Sequence, residues 1–248
     1  MDYSVFHVFF DDGDTLNDNS VRGPQWNHHV GVYFSQRFGD DPEVWGDANK
    51  GLVDLIIDTF SPSERYADSS YDKIQQGYIV DWVEGMFRHA GYRVPHQLDY
   101  DELYYSAVRY VTPRVRSPFP GVIDSIKRLH DLGFNIHTAS GEHSVDLNGY
   151  LTGMGVRKYF TKLYGPDLVD VPKNDARYYR SIIADCKIDP VKAVVVDDKT
   201  LFLAYAEKTG FKVIQACLKE KSKQSLKHSV MHMADLPEMI LRLFEDEK

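Results

Sequence analysis

Apolar and polar residues follow two different rhythms along this chain, and the change between them sets its organisation. The run Tyr3 to Phe10 is short, unbroken and rich in Val and Phe, which predicts a strand buried on both faces. It ends abruptly in VFFDDGDTLND, Val8 to Asp18, where Asp11, Asp12, Asp14 and Asp18 fall within eleven residues. From Gln25 to about Tyr110, apolar residues recur at three- and four-residue spacing in QWNHHVGVYFSQRF, ANKGLVDLIIDTF, YDKIQQGYIVDWVEGMFRHAG and DELYYSAVRYV. These segments predict a bundle of about four helices with its own small core, separated by the breaks GDDPE, SPSER and YRVPH. After Pro118-Phe119-Pro120-Gly121, strand and helix alternate. VIDSIKRLHDLG predicts an amphipathic helix stopped at Gly133, which can take the left-handed turn of a helix end. Strand FNIHTAS, helix HSVDLNGYLTGMG, a short strand near KLYG, helix NDARYYRSIIADC, strand KAVVVDD, helix LFLAYAEKTG, strand FKVIQA and a closing helix DLPEMILRLFE complete the chain.

This order predicts an α/β fold, a doubly wound parallel sheet with helices on both faces. The first strand joins that sheet from far away in sequence. The expected domains are therefore a core of residues 1–18 and 114–248 and a helical insertion of residues 19–113. Such sheets bind ligands at the carboxyl ends of their strands. The ends here carry Asp11 and Asp12, Ser140 and Gly141, and Asp197 and Asp198, with Lys173 in a loop of the same half. Carboxylates from two strands can hold Mg2+, a hard cation that takes oxygen ligands. One carboxylate can attack phosphorus or carbon and form a covalent intermediate. A Ser hydroxyl, the amide beyond it and a Lys ammonium can hold an anionic group during displacement.

Composition removes several alternatives. A net charge of −8 lacks the basic footprint of a nucleic-acid-binding surface. The stretch KEKSKQSLK, Lys219 to Lys227, reads as a solvated loop. No segment approaches the roughly 20 apolar residues of a membrane span, and the first residues lack the basic-then-apolar order of a signal segment. The expectation is a soluble, cytoplasmic protein with a small-molecule substrate and no membrane or nucleic-acid partner. Cys186 and Cys217 are too few for a disulfide framework or a zinc cage of their own, and are expected to be buried, inert thiols in a reducing compartment.

Four of these segments, in this order, resemble the haloacid dehalogenase-like hydrolase superfamily over the whole chain. FFDDGDTLND is similar to its nucleophile motif, GFNIHTASG to its second motif with Ser140 seven residues after Gly133, VPKNDARYY to its Lys motif and VVVDD to its acidic motif. PFPGVIDSIKRLHDLG resembles the segment that re-enters the core behind a helical cap. The resemblance implies Asp11 as nucleophile, Ser140, Gly141 and Lys173 as substrate-binding groups, and a Mg2+ site of Asp11, the Gly13 carbonyl, Asp198 and Asp197. The register on Thr15-Leu16 and Asp18 selects Asp11; a shifted pairing of Asp12 with Asp14 leaves Thr15 one residue early. Asp18 is then structural and Thr15 bonds backbone in the turn. The implied function is Mg2+-dependent hydrolysis of a phosphorylated small molecule through an aspartyl intermediate.

Two departures bear on that function. Phosphatase members carry a second Asp two residues after the nucleophile as general acid, where this chain has Gly13. Losing a positioned acid costs about 10²- to 10⁴-fold, unless Asp12 or Asp14 replaces it. Gly13 therefore keeps open dehalogenase- or phosphonatase-type chemistry, for the latter with Lys50 or Lys73 as the Schiff-base candidates. Phe202 stands where an acid or amide is often found, which with Gly13 also leaves a binding-only member of the fold open. In the insertion, Trp26, Tyr33, Phe34, Trp45, Trp82, Phe87, Tyr104 and Tyr105 predict an aromatic bundle core, with Arg22, Gln25 and Trp26 as candidate substrate contacts. Cap closure over the site would hinge near Asn19 and Pro113. The histidines predict no metal site: His28 and His29 point apart on a helix, and His137 is expected to be a hydrogen-bonded core residue.

Overall fold

The computed structural model describes residues 3–60 and 70–245, with the backbone alone for 54–60. The predicted break SPSER lies outside the described residues. The chain divides into two compact units, Met1–Asn19 with Ser117–Lys248, and Ser20–Arg116. In chain order the helices are α1 (Asn19–Phe38), α2 (Pro42–Phe60), α3 (Tyr71–His89), α4 (Tyr100–Val111) and α5 (Val122–Asp131). They continue with α6 (Ser144–Gly153), α7 (Pro166–Val169), α8 (Ala176–Cys186), α9 (Thr200–Glu207) and α10 (Leu236–Glu245).

The first unit is built on six strands: β1 (His7–Phe10), β2 (Asn135–Ala139), β3 (Phe160–Tyr164), β4 (Ala193–Asp197), β5 (Lys212–Ala216) and β6 (Ser229–Val230). They run parallel in the order β3-β2-β1-β4-β5-β6. This is the doubly wound α/β sheet that the alternation predicts. β6, only two residues long, has too little pattern to be foreseen. The Val- and Phe-rich strands follow from burial on both faces. Val8 and Phe10 enter one apolar cluster with Val194, Val196 and Ile136, while Phe9 enters the other with Val195, Tyr178 and Leu203. All of these are fully buried, and each such aliphatic or Phe side chain contributes about 1.5–3 kcal/mol by leaving water. α5 ends as expected, with Gly133 at φ +96° in the left-handed region. From β1 the sheet grows outward to β2 and β3, then the chain returns to place β4 on the other side of β1. That reversal opens a crevice at the carboxyl ends of β1, β2 and β4.

The second unit is the four-helix insertion. Phe34, Trp45, Trp82 and Phe87 are buried together, with Phe34 and Trp45 ring centroids 5.1 Å apart and Phe34 and Trp82 5.6 Å apart. Asn49 serves the one polar need of that core: its carbonyl accepts the Trp82 indole N–H at 3.0 Å, and its amide donates to Asn27 at 2.7 Å. Gly31 sets the approach of α1 to α2, since a Cβ there would lie 2.2 Å from the Pro42 carbonyl oxygen. α1 begins at Asn19, not at Gln25 where the pattern placed it, and carries Pro24 inside. The fixed φ of Pro is compatible with a helix near its start, at the loss of one backbone bond, so Pro24 is no boundary. Gln25 has a structural task. Its amide donates to the Arg116 carbonyl at 2.9 Å and its oxygen accepts the Arg116 N–H at 2.8 Å, pinning the entry of the insertion to its exit. Trp26 packs edge-on against Trp82, and Lys50 and Lys73 stand exposed.

Candidate active site

The carboxyl end of β1 continues as Asp11, whose N–H still bonds Val196 of β4 at 2.9 Å. β4 ends in Asp197, fully buried, followed by Asp198. Between them sits Lys173, from the loop before α8. Its ammonium is 2.7 Å from Asp11 Oδ1 and 2.6 Å from Asp197 Oδ2, with 2% of the side chain exposed. A lysine buried this deeply requires such partners. Phe202 supplies a further one, its ring centroid 4.9 Å from the ammonium, so this position holds the cation from an aromatic face. Burial works against the ammonium, yet Asp11 and Asp197 together hold its pKa well above the ordinary lysine value.

Two carboxylates facing one ammonium leave an excess negative charge in a dry place. Burial first, and Asp11 beside it, push the Asp197 carboxyl up to about 7 against the pull of Lys173 and the Lys199 N–H. That N–H lies 2.7 Å from Asp197 Oδ1, so Asp197 is committed on both oxygens. Asp198 is also raised by burial, opposed by Lys199, whose ammonium pairs with it at 2.8 Å from a 60% exposed side chain. Asp11, Asp197 and Asp198 bring one oxygen each within 4.8 Å of one another.

The turn after β1 uses its acids differently. The Asp12 carbonyl accepts the N–H groups of Thr15, Leu16 and Asn17 at 3.3, 2.8 and 2.9 Å. Its side chain, fully buried, accepts from the Asn17 amide at 2.8 Å, and Asn17 in turn accepts from the Ser117 hydroxyl at 2.8 Å. Asp14 takes φ +59°, bonds the Asn19 N–H at 3.1 Å and pairs with Lys219 at 2.6 Å. Lys219 thus pairs inward and is more than the solvated residue its charge run suggests. The Asp18 N–H bonds the Ser117 carbonyl at 2.7 Å. The Thr15 N–H bonds backbone, but its hydroxyl is buried with no hydrogen-bond partner, because the turn's carbonyls are already taken by N–H groups.

Ser140 follows β2, the neighbour of β1, and is almost fully buried. Its hydroxyl accepts the Glu142 N–H at 3.2 Å in a local turn. It does not cap the next helix: α6 starts at Ser144 and is capped by the His143 ring. The Tyr178 hydroxyl reaches the carbonyls of Ser140 and Tyr164 at 2.9 and 3.1 Å, a positioning contact with no sequence signal beyond an aromatic on a helix. Gly141 is exposed, with open space where a Cβ would stand. The strand ends thus bring Asp11, Lys173, Asp197 and Asp198 into one cluster; Ser140 and Gly141 close the neighbouring strand, and Gly13 opens the turn.

The sequence model of the family described as haloacid dehalogenase-like hydrolase matches residues 27–200. The chain belongs to this family and is a hydrolase. Among curated proteins, a phosphoglycolate phosphatase of Mesorhizobium japonicum is 24% identical over 102 residues, 41% of this chain. The match spans only 45% of that relative. Among solved structures, 2-haloacid dehalogenase from Pseudomonas syringae pv. Tomato has TM-score 0.64 and 19% identity, covering 96% of this chain and 99% of that one. The HAD-hydrolase YfnB from Bacillus subtilis, bound to magnesium, has TM-score 0.62 and 12% identity, covering 95% and 98%. At these identities the structures share the fold. Among the described residues no helix is long and apolar enough to cross a membrane.

Proposed function

We propose that this hydrolase cleaves phosphorylated small molecules through a covalent intermediate on Asp11, with Mg2+ as cofactor. The observation that carries this reading is the third carboxylate. Asp11, Asp197 and Asp198 converge on a site where the buried Lys173 neutralises one charge, and attack by a single carboxylate on carbon needs no such excess. The oxygen-only donor set fits Mg2+. Asp11 and Asp198 would hold it, with the Gly13 carbonyl. Asp197, bonded on both oxygens, contributes charge and anchors Lys173, and Lys199 reaches solvent readily enough to release Asp198. When bound, the cation supplies charge neutralisation on the transferring group. The magnesium-bound relative and the phosphatase relative support the same reading.

In this reading an Asp11 oxygen attacks phosphorus and the bond to the leaving oxygen breaks. Lys173 holds Asp11 and faces the developing charge, as Ser140 and the Gly141 amide do from β2. Water then attacks phosphorus, the bond to Asp11 breaks and phosphate leaves. The proton for the leaving oxygen comes from solvent, because Gly13 offers none, Asp12 is locked to Asn17 and Asp14 is paired with Lys219. Substrates with acidic leaving groups, such as acyl or aryl phosphates, are therefore favoured over alkyl phosphates. The same absence of an acid favours a second reading, displacement of halide from a 2-haloacid, which the fold of the dehalogenase relative accommodates. The helical unit acts as a cap that excludes water from the first displacement.

The test is a panel of acyl, aryl and alkyl phosphates beside 2-haloacids, assayed for phosphate and halide with Mg2+ and with chelator. Phosphate release that requires Mg2+ and is fastest for acyl and aryl esters supports the proposal. Halide release indifferent to chelator replaces it with the second reading.

A further inference from the structure

Strand pairing assembles a second constellation that no spacing in the sequence announces. β1 and β2 are in register with His7 opposite Asn135 and Phe9 opposite His137, so the two imidazoles are diagonal neighbours. They project on the face shared by Phe9 and Ala139, where α8 packs. His7 Nδ1 lies 3.1 Å from His137 Nε2 although 130 residues separate them. Cys186, the last residue of α8, completes the group: one ligand atom from each of the three lies within 4.8 Å of the other two. Cys186 is half-buried rather than enclosed, because the helix ends there.

We infer that His7, His137 and Cys186 form a binding site for a thiophilic divalent cation, zinc being the natural probe, separate from the acidic cluster at the strand ends. At metal–nitrogen distances of roughly 2.0–2.1 Å, tetrahedral angles place two ligating nitrogens about 3.3 Å apart, close to the separation already present. Two imidazoles and a thiol select zinc-like or copper-like ions and reject Mg2+. The access is there, since His7 and Cys186 are both partly exposed while His137 is 2% exposed.

The protonation states suit the task. Burial, then His7 and Lys162, push His137 down to about 3, and burial also lowers His7, so both rings are neutral with lone pairs to give. His137 Nδ1 is buried with no hydrogen-bond partner, so no second bond fixes that ring's tautomer. On binding, the proton shared between the rings moves to the far nitrogen of the ring that carries it. The Cys186 thiol, raised by burial and opposed by the Tyr164 hydroxyl, releases its proton to water as the metal–sulfur bond forms. The charged neighbours, Lys162 and Asp185, are paired with each other, and Asp185 also accepts from Tyr164 at 2.6 Å. Three protein ligands leave the fourth position to water. With Ser140 three residues beyond His137, the ion would sit about 10 Å behind the strand end at about 3.3 Å per residue, where it ties β1, β2 and α8 together.

The experiment uses tag-free, full-length protein titrated with Co2+ and followed by near-ultraviolet and visible absorption. One equivalent is expected to give a tetrahedral cobalt spectrum with a thiolate-to-metal charge-transfer band, displaced by Zn2+ and indifferent to excess Mg2+. Cys186→Ser is expected to abolish the band, and His7→Ala to weaken binding about 100-fold or more, since even groups around a ligand are worth 10- to 100-fold. Cys217→Ser and Asp198→Asn are expected to leave the band unchanged. If Cys186→Ser folds poorly, the zinc-induced rise in melting temperature of wild type against His7→Ala decides. No band, a band that survives Cys186→Ser, or one lost in Asp198→Asn overturns the inference. These readouts do not depend on which substrate the hydrolase takes.

Discussion

The ends of β1 and β4 and the turn that follows β1 are made from the same residue type and use it in opposite ways. At the strand ends, Asp11 and Asp197 give their oxygens to one buried ammonium and stand beside Asp198, accumulating charge that the fold does not fully neutralise. In the turn, Asp12 spends its side chain on Asn17 and its carbonyl on three N–H groups, and Asp14 is tied to Asn19 and Lys219. Asp11 and Asp12 are adjacent, yet the first faces chemistry and the second holds the backbone. The difference comes from the alternation of a strand, which sends successive side chains to opposite faces. A carboxylate satisfied by neutral amides holds a shape; a cluster with more acid than base is poised to meet a cation or an electrophile.

The sharpest way to break that contrast is to neutralise the two neighbours separately. Asp11→Asn is expected to lower turnover by about 10⁴-fold or more with little change in folding, read from kcat and the unfolding midpoint. Asp12→Ala is expected to do the reverse. It leaves Asn17 without its partner and should cost about 1–3 kcal/mol of stability in urea unfolding, while the folded fraction retains turnover. If Asp12→Ala folds normally and loses activity while Asp11→Asn keeps it, the assignment of the two is inverted.

Lys173→Met probes the charge itself. Removing one partner of a buried pair costs about 3–5 kcal/mol, and this variant strands two carboxylates. Its stability should recover as pH falls and they protonate. A variant as stable as wild type at neutral pH would show that the acids are already neutral there.

The Asp197 carboxyl, raised to about 7 in the folded protein, gives a pH signature. The folded state holds this proton where the unfolded chain has lost it, so Asp197 favours folding most at low pH. That contribution fades as pH rises from about 4 to 7, by at most about 1.4 kcal/mol per pH unit. Asp197→Asn should flatten this part of the stability–pH curve, measured by urea unfolding across the window. An unchanged slope would place the proton elsewhere. The smallest effect belongs to the rim: Lys219→Ala removes a half-exposed partner of Asp14 and should change stability by no more than about 1 kcal/mol, with any activity change fading at high salt.

The sheet, the helical insertion and the strand-end acids were legible because each is local: a Val-rich run, a three- and four-residue period, an Asp at the end of an apolar stretch. Lys173 could be picked out by its motif, but its burial between Asp11 and Asp197 could not, since that depends on the pairing of β1 with β4. The task of Asp12 was hidden because it runs through Asn17 to Ser117, a hundred residues on. Phe202 read as a missing acid; only the packed structure turns it into a face for the Lys173 cation. Gln25 read as a substrate contact because its partner, Arg116, lies at the far end of the insertion. The His7–His137 contact is the extreme case, made wholly by strand register.

The central claim is that Asp11 becomes covalently modified during turnover. Rapid acid quench of enzyme mixed with Mg2+ and the best phosphate ester from the panel, followed by peptide mass mapping, tests it directly. The expected result is a transient phosphoryl adduct on the peptide containing Asp11, absent in Asp11→Asn. Full turnover by Asp11→Asn, or an adduct on Asp12 or Asp14 instead, would contradict it.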